Sequence, residues 1–365
     1  VIRKEARKLF HHMKRLPRDR LGYPYCAPAA KGAVSDVLDP KTTLVWMYPA
    51  AMACCEAVFA QPLINAYYND PRKAHLFLTG VDALHRIARF VADLDEEEDS
   101  YGIGLDFSQF DILRANFIIK DAFGILNDNL CHGSYWDPIN GVVYGGSGVA
   151  RRSEHAFWSC VDYFINTPMI LPNGRVVVKH LGIPSGSHFT NLIDSIVNRI
   201  LIYTFSFFHE LSIFGLMTNG DDSAFRVSVR NYHVVVSVAE QFFKEYFDML
   251  VKVQKSCIAG APSQMHASGV FWTRLRPHGP TQDWFELALY PKAYVRDPFE
   301  AFQRMLGIGI AGAFTDHKYC DFFTYYQTGY DIRSLEPELL SWTKLRWLQY
   351  AFGDLPLILI KKNIN

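Results

Sequence analysis

No charge of one sign dominates this sequence. Thirty-seven lysines and arginines stand against 37 aspartates and glutamates, which excludes binding of a polyanion through net charge alone. Any hold on nucleic acid must come from a local basic channel. The seven cysteines, Cys26, Cys54, Cys55, Cys131, Cys160, Cys257 and Cys320, form no CxxC pair. That argues against a structural zinc and, with no signal peptide, for reduced thiols in a cytosolic protein. No window reaches the apolar length of a membrane span; the most apolar, 193–208, is broken by Asp194, Asn198 and Arg199. Internal repeats and low-complexity tracts are missing too, which excludes solenoids and repeat arrays. Methionine is missing from position 1, where Val1 opens a charged helical pattern, so a further N-terminal part is expected. What the sequence has is apolar material, 49% of 365 residues with 15% aromatics, enough for a large core shared by two or three subdomains.

The pattern centres on residues 215–229, GLMTNGDDSAFRVSV. Apolar residues lead into Asn219-Gly220, and alternation at Ala224, Phe225, Val227 and Val229 leads out, as in a β-hairpin with a tight turn. Asp221 and Asp222 stand at its apex. Two carboxylates a few ångströms apart repel by about 4 kcal/mol at an effective dielectric of 20, so a fold that concentrates them usually holds a cation there. The plainer alternative is a solvated Asp-Asp turn.

In chain order, residues 1–20 predict a basic surface helix, either solvated or facing phosphates, and 21–40 a Gly/Pro-punctuated loop. A short β-prone run at 41–49 opens with Lys41 and precedes a buried helix at 50–68 with a kink at Pro62. Residues 82–94 predict another helix, closed by the acidic linker 95–99. A β-prone run from 101 then ends in Asp106, and Asp111 falls in the first turn of a helix reaching 126. Residues 133–148 predict a loop, 153–165 a helix, 171–180 a hairpin turning at Asn173-Gly174, and 191–211 a long apolar helix after the small-residue loop 182–190. Beyond the central hairpin come a helix at 234–250, a strand at 251–259, a hairpin pairing 270–276 with 284–289, and helices from about 297.

Three separated segments point to one site. Asp106 ends a strand, Asp221 and Asp222 cap a hairpin, and the two strands can pair in one antiparallel sheet. Carboxylates so gathered suit two Mg²⁺ ions, which bind through a few carboxylates plus substrate phosphates and clamp an in-line phosphoryl transfer. Asp111 is either a helix N-terminal charge or an acceptor for a ribose 2′-hydroxyl. Thr190, Asp194 and Asn198 recur every four residues on one helix face. They satisfy each other or the backbone, or they meet Asp111 and an incoming sugar. Ser185-Gly186 supplies backbone donors near phosphates or template.

The ordered set Asp106-x4-Asp111, Ser185-Gly186-x3-Thr190-x7-Asn198 and Gly220-Asp221-Asp222 closely resembles motifs A, B and C of viral RNA-dependent RNA polymerases. Pro184-Ser-Gly-Ser-x-Phe-Thr190 and Gly220-Asp-Asp-Ser223 are similar to the partitivirus type, from double-stranded RNA viruses. Residues 39–49 are similar to motif F, Lys255 fits motif D, and 271–276 fit the primer-contacting motif E. The resemblance implies Asp106 and Asp221 as metal ligands with Asp222 auxiliary, and Asp111, Thr190 and Asn198 as the ribose selectors. It puts Ser185 and Gly186 at the nucleotide or template, Lys41 over the triphosphate, and Lys255 as general acid for pyrophosphate, with Lys252 and Lys244 as rivals. One departure stands out. Where motif F follows its Lys-Thr with arginine, this chain has Thr43; Lys31, Arg151, Arg152 and Arg175 are the candidates to supply the missing charge.

The expected architecture is therefore an α+β right-hand polymerase, an antiparallel palm sheet flanked by helices. Fingers are expected at 1–100 (N-terminally truncated) and 124–180, palm at 101–123 with motif A and 181–282 with motifs B to E, thumb at 283–365. The expected activity is template-directed RNA synthesis from ribonucleoside triphosphates with two Mg²⁺ (Mn²⁺ as the alternative ion), replicating and transcribing a viral genome in the virion interior and host cytoplasm. Template RNA, nascent RNA and ribonucleoside triphosphates are the expected partners, with a viral capsid protein a further candidate and no membrane. The rivals are a reverse transcriptase, which Asp111 and Gly220 argue against, and a catalytically impaired, RNA-binding or capsid-associated relative.

Overall fold

In the strand Ser100–Leu105 the last four residues are buried in succession, and in Asp222–Ser228 so are Ser223, Ala224 and Phe225, as expected of strands covered on both faces. The computed structural model describes residues 1–17, 22–32, 38, 42–69, 87, 90–91, 99–108, 110–112, 115–137, 139–251, 257–259, 265–267, 270–273, 276–291, 294–312 and 315–327. These two strands lie side by side and antiparallel in a four-stranded sheet ordered Cys257–Ala259, Ser100–Leu105, Asp222–Ser228, Ile213–Asn219. Ser223 pairs with Leu105 and Ser228 with Ser100; one further step of that register sets Asp106 opposite Asp222. The pairing expected from sequence between the Asp106 strand and the hairpin is present.

Helices Thr190–Phe208 and Tyr232–Phe247 flank the sheet and meet through aromatic rings. Phe205 stacks on Phe243 at 5.4 Å, and Phe243 meets Phe107 edge-on at 5.0 Å. Helix Asn116–Asp128 packs on Thr190–Phe208, bringing Phe123 within 5.2 Å of Phe189. Ser147–Ile165, Ala50–Asn69 and Ile2–Met13 pack on one another on the other side of the same continuous core. The class is α+β with antiparallel sheets, as the sequence led us to expect.

Several expectations are corrected in detail. Residues 133–148 are not an open loop: Ser134–Asp137 and Val142–Gly145 form a hairpin, turned by Asp137 accepting from the Ile139 amide at 2.9 Å. Every residue of Val142–Gly145 is exposed, so no alternation of burial marks the strand in sequence. Residues 284–289 are helical, within Thr281–Leu289, where Trp284 and Ala288 are the buried pair one turn apart. The strand 270–273 instead pairs with Met265–Ala267 and Arg276–His278. The N-terminal helix stops at Met13, and the one predicted at 234–250 spans Tyr232–Phe247, closed by Asp248 in the left-handed region at φ 54. Leu250–Val251 then pairs with Phe107–Ser108. The helix and acidic linker predicted at 82–99 lie outside the described residues, save for Ile87, Phe90, Val91 and Asp99.

Candidate active site

The hairpin closes through a two-residue turn, Gly220-Asp221, between Asn219 and its partner Asp222. Gly220 takes φ +64 while Asp221 stays out of the left-handed region, the type II′ pattern that wants glycine first. Asp221 is thereby exposed at the tip, with Asp222 half-buried beside it. Helix Thr190–Phe208 grips this tip with three polar side chains. Asn198, fully buried, donates from Nδ2 towards the carbonyl oxygens of Gly220 (3.1 Å), Asp221 (2.9 Å) and Asp222 (3.3 Å). The Gly220 amide donates to Ser195 Oγ at 2.8 Å, and Asn191 Nδ2 donates to Asn219 Oδ1 at 3.2 Å.

Asp111 lies in a short 3₁₀ turn, Phe110–Ile112, with its side chain exposed. Its backbone carbonyl accepts from the Ile183 amide at 2.9 Å, which ties motif A to the loop before the motif B helix. Gly182 makes this contact possible: it sits at φ +79, and a Cβ there would stand 2.3 Å from Asp111 O. The Gly182 carbonyl accepts from Lys179 Nζ at 2.5 Å, and burial pushes that lysine down to about 7. Thr190 Oγ1 is shared between the loop carbonyls of Pro184 (2.6 Å) and Ser187 (2.9 Å).

Between these parts sits Asp194. Its Oδ1 is buried and has no hydrogen-bond partner among the described residues. Its carboxyl is held well above the usual carboxylate range, first by burial and then by the charges of Asp221 and Asp111. Asp194 thus lies within electrostatic reach of both Asp111 and Asp221. Thr190 and Asn198 are engaged by backbone carbonyls, one of the two outcomes left open by their spacing, whereas Asp194 is buried with one oxygen unpartnered among the described residues.

Ser185 and Gly186 dock on the strand Thr42–Met47. The Trp46 amide donates to Ser185 Oγ at 3.2 Å, and a Cβ on Gly186 would meet Trp46 O at 1.9 Å. The strand Ala27–Gly32 pairs antiparallel with Thr42–Met47 and sets Lys31 across from Thr43, so of the four candidates Lys31 is the one the register places opposite the missing arginine. Lys41, Lys252 and Lys255 lie outside the described residues, and Lys244 is paired with Asp248.

The sequence reading missed Glu56. It is fully buried, and its Oε2 accepts from Ser187 Oγ at 2.7 Å and from the His188 amide at 3.0 Å. Burial raises its carboxyl to about 8. The available signal was compositional: Glu56 is the single charged residue of the 20-residue helix Ala50–Asn69.

Among the described residues no three His, Cys, Asp or Glu side chains close into a cage for an ion by themselves. Asp106, next after the Leu105–Ser223 pair, and Asp222 and Asp221 at the same end of the neighbouring strand offer hard carboxylate oxygens and an incomplete shell. That donor set fits Mg²⁺, which keeps positions for water and substrate phosphates.

The family model of the viral RNA-dependent RNA polymerases matches residues 2–327. The chain belongs to that family. Within it, 96 residues, 26% of this chain, are 35% identical to the RNA-directed RNA polymerase of Cryptosporidium parvum virus 1 (strain KSU-1), of which they cover 15%. The crystal structure of a human picorbirnavirus RNA-dependent RNA polymerase matches with a TM-score of 0.63 at 15% identity, covering 90% of this chain and 61% of that one. Sicinivirus 3Dpol matches with a TM-score of 0.65 at 14% identity, over 95% of this chain and 71% of that one. These likenesses show the right-hand viral polymerase fold. This member of the family spans well under two thirds of the length of the Cryptosporidium virus polymerase it matches.

Proposed function

We propose that this chain carries out template-directed RNA synthesis, joining ribonucleoside triphosphates to a growing 3′ end as part of viral genome replication and transcription. The observation that carries the reading is the antiparallel register ending at Leu105 opposite Ser223, which delivers Asp106 and Asp222 to the same end of the sheet, with Asp221 exposed on the adjoining turn. Asp106 and Asp221 would hold Mg²⁺, with Asp222 auxiliary. The bound ions would lower the pKa of the attacking 3′-hydroxyl and neutralise charge on the departing pyrophosphate.

The chain's own residues then position the substrates. Asn198 and Ser195 keep the turn, and so the Asp221 carboxylate, at a fixed height above the helix. Asp111, exposed beside the motif B loop, accepts from the ribose 2′-hydroxyl, and the buried carboxyl of Asp194 lies within electrostatic reach of it. Thr190 and Asn198 serve that site by holding its backbone. Ser185 and Gly186, docked on the Thr42–Met47 strand, seat template or nucleotide, and Lys31 supplies positive charge across from Thr43. Lys41 and Lys255 remain the proposed contacts to the triphosphate and the proton donor to pyrophosphate. Fingers at 1–100 and 124–180, palm at 101–123 and 181–282, and thumb at 283–365 complete the proposed division.

The test is Asp221→Asn in the full-length protein with an RNA template–primer. The expected outcome is loss of Mg²⁺-dependent ribonucleotide incorporation with an unchanged melting curve. Retained incorporation would overturn the reading, and preferential incorporation of deoxynucleotides by the unmodified protein would replace it with a reverse transcriptase.

A further inference from the structure

The loop 184–189 joins the fingers side of the site to the helix that holds the aspartate turn, and its middle is gripped by one side chain from a distant helix. Glu56 projects from Ala50–Asn69 and accepts two hydrogen bonds, from Ser187 Oγ and from the His188 amide. Ser187 Oγ in turn accepts from the Phe189 amide at 3.0 Å. Phe189 is the N-cap of helix Thr190–Phe208 with no side-chain cap of its own; its amide is met by Ser187 Oγ, while Glu56 takes the His188 amide just before it. On the other side of the loop, Ser185 and Gly186 rest on Trp46.

We infer that Glu56 is a positioning residue for substrate binding: through Ser187 and His188 it holds the 184–189 loop against the Trp46 strand in the shape that seats nucleotide and template. This rests on the polymerase reading above and adds to it a residue that no motif contains. Space filling does not account for Glu56. A carboxyl group buried with Oε1 lacking any partner among the described residues is costly, and two hydrogen bonds to the loop are what offset it. The titratable groups electrostatically coupled to it are Tyr48, Cys26, Cys55, Cys160 and Tyr163, all raised by burial first, so the acid sits neutral among neutral neighbours.

The inference separates binding from chemistry. The Gly220-Asp221 turn is held by Asn198 and Ser195, further along the helix, and those bonds do not pass through the loop. Loosening the loop therefore affects the seat of the substrate more than the placement of the carboxylates.

The experiment measures GTP incorporation on a synthetic RNA template–primer, with hydrogen–deuterium exchange at the 188 and 189 amides, for wild type, Glu56→Ala, Glu56→Gln and Ser187→Ala in the full-length protein. Glu56→Ala is expected to raise the KM for GTP about tenfold, the order expected for two lost hydrogen bonds, with kcat changed less than about threefold and faster exchange at both amides. Glu56→Gln is expected to restore KM and exchange, because its amide oxygen still accepts from Ser187 and His188. If Glu56→Ala does not fold, Ser187→Ala carries the test, with a rise in KM of about threefold. An unchanged KM, a fall confined to kcat, or failure of Glu56→Gln to rescue would overturn the role. A wild-type protein that makes no RNA sinks the polymerase reading alone. Glu56 is then judged by affinity for the template–primer, weaker in Glu56→Ala and recovered in Glu56→Gln, with equal affinities overturning the inference.

Discussion

Asn198 and Asp221 are joined by a hydrogen bond of 2.9 Å from the helix side chain to the turn carbonyl, and the same amide nitrogen reaches the carbonyls on either side. A buried asparagine thus holds up the tip on which the exposed aspartate stands. Asn198→Ala leaves three carbonyls facing a cavity and is expected to destabilise the fold by about 1–3 kcal/mol, read as a lowered melting temperature. Asn198→Asp should cost more, since it sets carboxylate oxygen against carbonyl oxygen. A melting temperature unchanged by either substitution would show that the turn needs no such support.

Three glycines separate crowding from backbone strain. At Gly186 a Cβ would fall 1.9 Å from a backbone oxygen, and at Gly182 it would fall 2.3 Å from one with φ at +79 as well. Alanine at either position forces the loop off its neighbour, an overpacking cost of about 1–3 kcal/mol or more, and should depress RNA synthesis. Gly220 has φ +64 with open space around it, so Gly220→Ala is strained through the backbone alone, at about 1–2 kcal/mol. Equal losses at all three would contradict this assignment of causes.

Glu56 predicts a pH dependence of stability. Its carboxyl is raised by burial from 4.5 to about 8, so between those values the folded chain keeps a proton that the unfolded chain has released. Its contribution is complete below about 4.5 and is lost as pH rises towards about 8. Lys179, pushed down from 10.5 to about 7, acts with the opposite slope over a higher window. Thermal melts of wild type and Glu56→Gln should therefore diverge from about pH 5 to about pH 7, wild type losing stability relative to the variant. Parallel curves would show that the acid is not held neutral.

Asp111→Ala removes the proposed acceptor for the sugar hydroxyl. Discrimination against deoxynucleotides should fall by a factor corresponding to about 1–3 kcal/mol, measured as the ratio of kcat/KM for GTP and dGTP. An unchanged ratio would take Asp111 out of sugar recognition.

The sequence by itself determined the features whose causes are local. A hairpin at 213–228 follows from apolar runs flanking Asn219-Gly220, and a stripe of Thr190, Asp194 and Asn198 follows from helical spacing. The hairpin at 134–145 escaped notice because its strands are exposed and carry no burial pattern. Only the tertiary structure decided how the polar groups are used. Thr190 and Asn198 are taken up by backbone carbonyls, Asp194 Oδ1 is buried with no hydrogen-bond partner among the described residues, and Glu56 reaches a serine 131 residues away. The reason is physical: periodicity states which face a side chain occupies, but its hydrogen-bond partner and its pKa depend on which distant segment docks against that face and how completely water is expelled.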